Sequence, residues 1–166
     1  MENSKITEGY VTERVIEFMK NKQNGNWHKE KIEKSELHHH GVDIKFIGGK
    51  RNSEYFFVEC KGKLYSKSAR FVNKEVWINA LGQIVTRMDV KRYSKSKEDG
   101  KISNINRAYK YGLGLYWESA QVPLRRIPKE IAEVLNLHIF SVNDDGEVKY
   151  FTPSKFGKEY SKDEFI

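Results

Sequence analysis

Two carboxylates and one ammonium group in a short stretch of this 166-residue chain form a set able to support metal-assisted chemistry. Asp43 lies in Gly41-Val42-Asp43-Ile44, and fifteen residues separate it from Glu59 in Phe57-Val58-Glu59-Cys60-Lys61-Gly62. Carboxylates that converge on one spot repel each other unless a cation intervenes. A hard divalent ion held by one or two carboxylates and a substrate phosphate is a common magnesium arrangement. A lysine beside such an ion can orient an attacking water and stabilise charge developing on the phosphate. Asp43, Glu59 and Lys61 are therefore a minimal kit for phosphodiester hydrolysis. In isolation, an acid two residues before a lysine is ordinary in a charged protein and describes a solvated strand face.

The elements around these residues decide between the two. Val42, Ile44 and Phe46 alternate with Asp43 and Lys45, the Gly48-to-Asn52 stretch reads as a turn, and Tyr55 to Lys61 is rich in aromatic and β-branched residues. This predicts an antiparallel hairpin. Alternation sends Phe57, Glu59 and Lys61 to one face, with Glu59 and Lys61 about 7 Å apart at their α-carbons, and Phe56, Val58 and Cys60 to the other. Asp43 faces opposite Val42, Ile44 and Phe46, and in the simplest register it meets Glu59. Val11, Val15, Ile16, Phe18 and Met19 predict an amphipathic helix over residues 8–22, N-capped by Thr7 or Thr12. Residues 27–37 read as an edge strand of mixed charge. A second helix carries the stripe Val76, Trp77, Ala80, Leu81, Ile84, Val85 and Met88, with Asn79, Gln83 and Arg87 on a polar face; small Ala80 and Gly82 let it lie close to a sheet. Lys91 to Asn104 has the composition of a mobile basic loop. Tyr111 to Trp117 reads as a buried strand, Pro128 as the first residue of a short helix with Ile131, Val134 and Leu135, and residues 137–151 as a closing hairpin turning at Asn143-Asp144-Asp145-Gly146. The fold class expected is α/β (α+β): one domain over residues 1–166, with a mixed central sheet flanked by helices.

Those motifs, in that order over residues 8–117, resemble the PD-(D/E)XK, or restriction-endonuclease-like, nuclease superfamily, whose core runs αβββαβ; here a C-terminal helix and hairpin follow it. The resemblance implies a metal-dependent DNA endonuclease in which Asp43 and Glu59 ligate Mg2+ (Mn2+ substituting), helped by the Cys60 carbonyl, while Lys61 assists the water. Glu13, in Thr12-Glu13-Arg14-Val15, matches the first-helix acid of many members and would stand behind the ligands or complete a second metal position. Gln83, in Ala80-Leu81-Gly82-Gln83-Ile84, matches a glutamine often found near the site. Val42, where the name-giving motif has proline, is the one departure. Small size and the early acidic helix look most like junction-resolving or mobile-element nucleases, with a restriction enzyme behind them. By analogy a homodimer is expected.

Composition bears on partners. Thirty Lys+Arg against 23 Asp+Glu leave a net charge of +7, which favours a polyanion through counterion release without separating DNA from RNA. Lys91, Arg92, Lys95, Lys97 and Arg107, interleaved with Tyr93 and Tyr109, make a candidate nucleic-acid footprint. The single cysteine, Cys60, excludes a disulfide framework within one chain and a cysteine-based zinc site; it reads as a small core residue. His38-His39-His40 are consecutive, which suits an approach loop near phosphate better than a metal shell. No organic cofactor is suggested. No run of eighteen apolar residues and no apolar leader are visible, so a cytoplasmic protein away from membranes is expected. Two alternatives stay open: a nucleic-acid-binding module of the same fold that cuts nothing, and an RNA-directed nuclease.

Overall fold

A six-stranded mixed sheet carries the site. The computed structural model describes residues 6–25, 27–29, 42–48, 53–65, 75–88, 93–95, 100, 102–104 and 109–165, with side chains left aside at 22, 29, 93–95 and 102–104. In chain order the elements are α1 (Glu8–Lys20), β1 (His28–Lys29), β2 (Ile44–Gly48), β3 (Glu54–Lys61), α2 (Val76–Val85), β4 (Tyr93–Lys95), β5 (Ile102–Asn104), β6 (Tyr109–Tyr116), α3 (Trp117–Arg126), α4 (Lys129–Leu135), β7 (Leu137–Val142) and β8 (Val148–Phe151). The strands lie in the order β1-β2-β3-β6-β7-β8, with β3, β6 and β7 mutually parallel and the remaining pairs antiparallel. Helix α2 lies in the connection from β3 to β6, and α3 and α4 in that from β6 to β7.

Parallel strands covered on both sides read as continuous apolar runs, and every residue of β7 is buried. On one face Val11, Val15 and Met19 of α1 pack on Ile44, Phe46, Phe56, Val58 and Cys60. On the other, Trp77, Ala80 and Ile84 of α2 share a cluster with Leu113, Leu115, Leu137 and Ile139, joined by Ala120 and Leu124 of α3. Thr7 starts α1 by accepting the Tyr10 N–H at 3.2 Å. The turn after β7 is organised by Asn143, whose Oδ1 accepts the N–H groups of Asp145 and Glu147 at 3.0 and 2.8 Å.

The mixed sheet between helices is as expected; several local readings are corrected. Helix α1 ends at Lys20, and a short 3₁₀ turn (Lys22–Asn24) follows. The expected edge strand is realised at His28–Lys29, the rest of its span lying outside the described residues. Within Lys91 to Asn104 the chain forms a two-stranded ribbon, β4 with β5, in place of a structureless loop. Helix α3 was not anticipated, because Pro123 sits inside it and Trp117 reads as strand; Pro123 is buried there. Pro128 caps α4 from outside, with ψ 143°, and the helix starts one residue later. On α2, Ala80 is buried as expected, but Val85 leaves the stripe and Gly82 is exposed, with none of the described residues near its missing side chain. No helix among the described residues is long and apolar enough to cross a membrane.

His138 on β7 is 5% exposed and neutral. Asn136 Nδ2 donates to the Tyr109 carbonyl at 2.9 Å, which aims Asn136 Oδ1 at His138 Nε2, 3.0 Å away. Nε2 therefore carries the proton and Nδ1 accepts from the Tyr150 hydroxyl at 2.7 Å. Burial, aided by the charge of Lys110, lowers its pKa from 6.5 to about 3. Because the unfolded chain takes up a proton that the folded one refuses, the contribution of His138 is present above pH 6.5 and is lost as pH falls toward 3. The stability advantage of wild type over His138→Gln, from urea midpoints, should thus shrink across this interval, by up to about 1.4 kcal/mol per pH unit. A constant difference would show that His138 takes up its proton as readily in the fold as in the unfolded chain.

Candidate functional site

The register of β2 and β3 pairs Ile44 with Val58, and one step further sets Asp43 opposite Glu59. Asp43 lies in a bend just before β2, and its Oδ2 accepts the Cys60 N–H at 2.6 Å. This bond ties the acid to β3 although the ladder has not yet begun. Strict alternation stops at that bend: Ile44 and Phe46 face α1, whereas Val42 packs on the α2 side, contrary to the expectation that all three share a face.

Glu59 and Lys61 do share the face of β3 opposite Cys60. Glu59 is 2% exposed, and its Oε1 accepts from Lys61 Nζ at 3.0 Å. Its other oxygen, Oε2, is buried with no hydrogen-bond partner among the described residues. Lys61 Nζ also donates to Glu8 Oε2 at 3.2 Å. The first-helix acid that reaches the site is therefore Glu8. Glu13, which the resemblance put in this role, is exposed on α1. A residue five positions from Glu8 is rotated by about 140° around the helix, which explains the difference.

Gly62 makes that meeting possible. A Cβ at residue 62 would stand 2.4 Å from the Thr7 carbonyl carbon and 2.5 Å from the Glu8 nitrogen. With no side chain there, the end of β3 runs against the start of α1, and the Lys63 N–H donates to the Ile6 carbonyl at 2.8 Å.

The electrostatics follow from this geometry. Burial raises the pKa of Glu59, and the charge of Asp43 adds to the rise against the Lys61 hydrogen bond and the charges of Lys61 and Arg87. Burial likewise raises Asp43, with Glu8 reinforcing and the Cys60 N–H, Lys61 and Arg87 opposing. Burial disfavours the Lys61 ammonium, but the bond to Glu59 and the charges of Glu59, Glu8 and Asp43 outweigh it, so its pKa is raised and it stays protonated. Burial thus leaves both acids harder to ionise despite two nearby cations. Cys60 is fully buried on the α1 side and burial pushes its thiol up, so only its backbone belongs to the site.

Gln83 and Lys61 line one open cavity of about 590 Å³ together with Asn79, Gly82, Thr86 and Arg87. The sequence placed Gln83 near the site, and the structure puts it on this wall. Arg87 was legible only as one member of a polar helix face. Side chains of Lys91, Arg92, Lys95, Lys97 and Arg107, and the run His38-His39-His40, lie outside the described residues.

Among the described residues no group of three His, Cys, Asp or Glu side chains is placed to hold a metal ion. The donors on offer are the oxygens of Asp43 and Glu59. The buried Oε2 of Glu59, without a partner among the described residues, fits a hard cation, which keeps several waters and needs few protein ligands. No protein-family model matches the chain, and no curated protein or solved structure matches it either.

If the acids want a cation, charge removal and metal addition should act alike. Asp43→Asn, which can still accept the Cys60 N–H, should melt at or above the wild-type temperature in chelator. Millimolar magnesium or manganese should raise the wild-type melting temperature and leave that of Asp43→Asn unmoved. Equal metal responses in the two proteins would count against a site at Asp43.

Proposed function

We propose that this protein is a metal-dependent nuclease of the restriction-endonuclease-like type that hydrolyses phosphodiester bonds in DNA. The observation carrying the reading is Glu59: a carboxylate buried in the sheet, half engaged by Lys61 and half without a partner among the described residues, beside a second acid anchored to the same strand. Buried charge of this kind is costly and persists where something else needs it. The order α1, three strands, α2 and, beyond the β4–β5 ribbon, β6 supports the same family, as do the motifs around Asp43 and Glu59.

In this reading Asp43 and Glu59 hold Mg2+, or Mn2+ in its place. When bound, such an ion lowers the pKa of a water and polarises a phosphate oxygen. The chain's own groups do the rest. Lys61 is an ammonium with no lone pair to accept a proton, so it serves as a donor at Nζ that orients a water or a phosphate oxygen and offsets negative charge in the transition state. Glu59 Oε1 and Glu8 Oε2 fix where Nζ sits. Glu8 is thus a positioning residue. The Cys60 N–H holds Asp43 in place, and the apolar cluster behind β3 keeps that strand rigid.

Supercoiled, linear and branched DNA, each incubated with magnesium or with chelator, test the assignment. Metal-dependent nicking or cutting is expected, abolished by Asp43→Ala and Glu59→Ala and slowed about 10²- to 10³-fold by Lys61→Ala. Glu8→Gln should slow it by about tenfold, less than the ~10²-fold minimum typical of a group that itself transfers a proton, because Glu8 only positions Lys61. DNA retained on a gel but uncut in either metal would replace this reading with a binding module. Preferential cutting of RNA of the same sequence would redirect it to that substrate.

A further inference from the structure

The exposed side of α2 carries a feature that the chemistry of Asp43, Glu59 and Lys61 does not require. Asn79 and Gln83 lie one turn apart on α2, and Arg87 follows two residues beyond its end. All three line the open cavity that Lys61 also lines. Arg87 is close enough for its charge to act on both Asp43 and Glu59, and its Nη1 donates to the Gln83 carbonyl, which ties the guanidinium to the end of the helix.

Gly82 is the second observation. It lies inside α2, where glycine is about 1 kcal/mol less favourable than alanine. Glycines at such positions usually admit a neighbouring element, as Gly62 admits α1. Among the described residues a Cβ built at Gly82 meets no atom within 4 Å. It is exposed and lines the same cavity. The described residues give no packing reason for the missing side chain, but a place in the cavity lining gives a functional one.

We infer that the groove along α2, floored by Gly82 and walled by Asn79, Gln83 and Arg87, seats the sugar–phosphate backbone of the nucleic-acid strand next to the bond cut at Lys61. This rests on the nuclease reading for the position of the cut, and on the groove alone for binding. Arg87 meets a phosphate as a planar, permanently charged donor. Asn79 and Gln83 present amides, which suit sugar and phosphate oxygens and carry little sequence preference. Lys61 and Arg87 put positive charge at separate points of one channel, which complements a strand with a charge at every nucleotide.

The test is binding of a fluorescently labelled DNA, single-stranded and duplex, to the full chain in chelator, alongside cleavage in magnesium. Arg87→Ala should weaken binding at least tenfold and flatten its salt dependence, and Arg87→Lys should restore only part of the loss. Lys20→Gln, the same charge change at the far end of α1, should leave both intact. Gly82→Ala should raise the denaturation midpoint, and the bulkier Gly82→Gln should fold yet bind at least tenfold more weakly. Cleavage that depends on Asp43 but is indifferent to Arg87 and Gly82 would overturn this inference and keep the nuclease. Binding that depends on Arg87 and Gly82 without any cleavage would keep the groove and overturn the nuclease. A protein that neither binds nor cuts DNA overturns both.

Discussion

A carboxyl group placed inside a sheet is the constraint around which the rest of this molecule is arranged. Glu59 is on β3, between β2 and β6 and beneath α2, and is almost entirely removed from water. Desolvating a charge costs far more than a surface ion pair returns, so the carboxylate needs partners supplied by the fold. Lys61 answers one oxygen from the same strand, two residues on, because β geometry returns a side chain to the same face at that spacing. Being half-buried itself, Lys61 then needs a second acid, and the start of α1 provides it through Glu8.

That demand propagates outward. Glu8 can reach Lys61 only if α1 begins against the end of β3, and Gly62 is the residue that lets two backbones approach so closely. The apolar stripe Val11, Val15 and Met19 fixes the rest of α1 over the opposite face of the sheet. One helix thus both covers the core behind the strand and contributes a charge at its tip. Asp43 is set by a different device, a hydrogen bond from the backbone of Cys60, which holds the acid where the β2 ladder has not yet formed. Strand pairing, a glycine contact and one backbone donor position the acids and the lysine.

How far the sequence discloses this depends on the range of each interaction. Period-two alternation makes the sharing of a face by Glu59 and Lys61 legible, and the short connection between two β-rich runs makes the β2–β3 pairing legible too. Helix α2 is plain from its stripe. Glu8 is hidden because its role depends on contacts between residues 6–8 and 62–63, which no local pattern encodes; Glu13 fits the nuclease motif better but is exposed on α1. Helix α3 is hidden because an internal proline argues against a helix and only tertiary burial overrides that preference. Gly82 looks, from its size and its place near Ala80, like a packing glycine. Its actual setting reverses that reading: Ala80 makes the close approach and Gly82 lies on the open side.

The same region bears on why the chain tolerates so many unfavourable local choices. Glu59 keeps an oxygen without a partner among the described residues, Asp43 and Glu59 both resist ionisation, and α2 carries a glycine where alanine would serve the helix better. If these were unrelated accidents of packing, they should be scattered through the molecule. Instead Glu59 and Lys61 are adjacent on β3, and Lys61 and Gly82 line one cavity. Each has a single-residue remedy that would leave the core intact: an amide for an acid, a methyl for a hydrogen. Stability sacrificed at one place, and recoverable by such small changes, is the pattern expected when binding or chemistry sets the local sequence. The type of sacrifice then narrows the ligand. Under the proposed function the buried acids Asp43 and Glu59 would take a cation, while the open cavity and the basic and amide groups beside it suit an anion too extended for the cation site alone. A divalent ion held by the two acids, with a phosphodiester strand along the cavity, would meet both requirements, whereas a small neutral metabolite would meet neither.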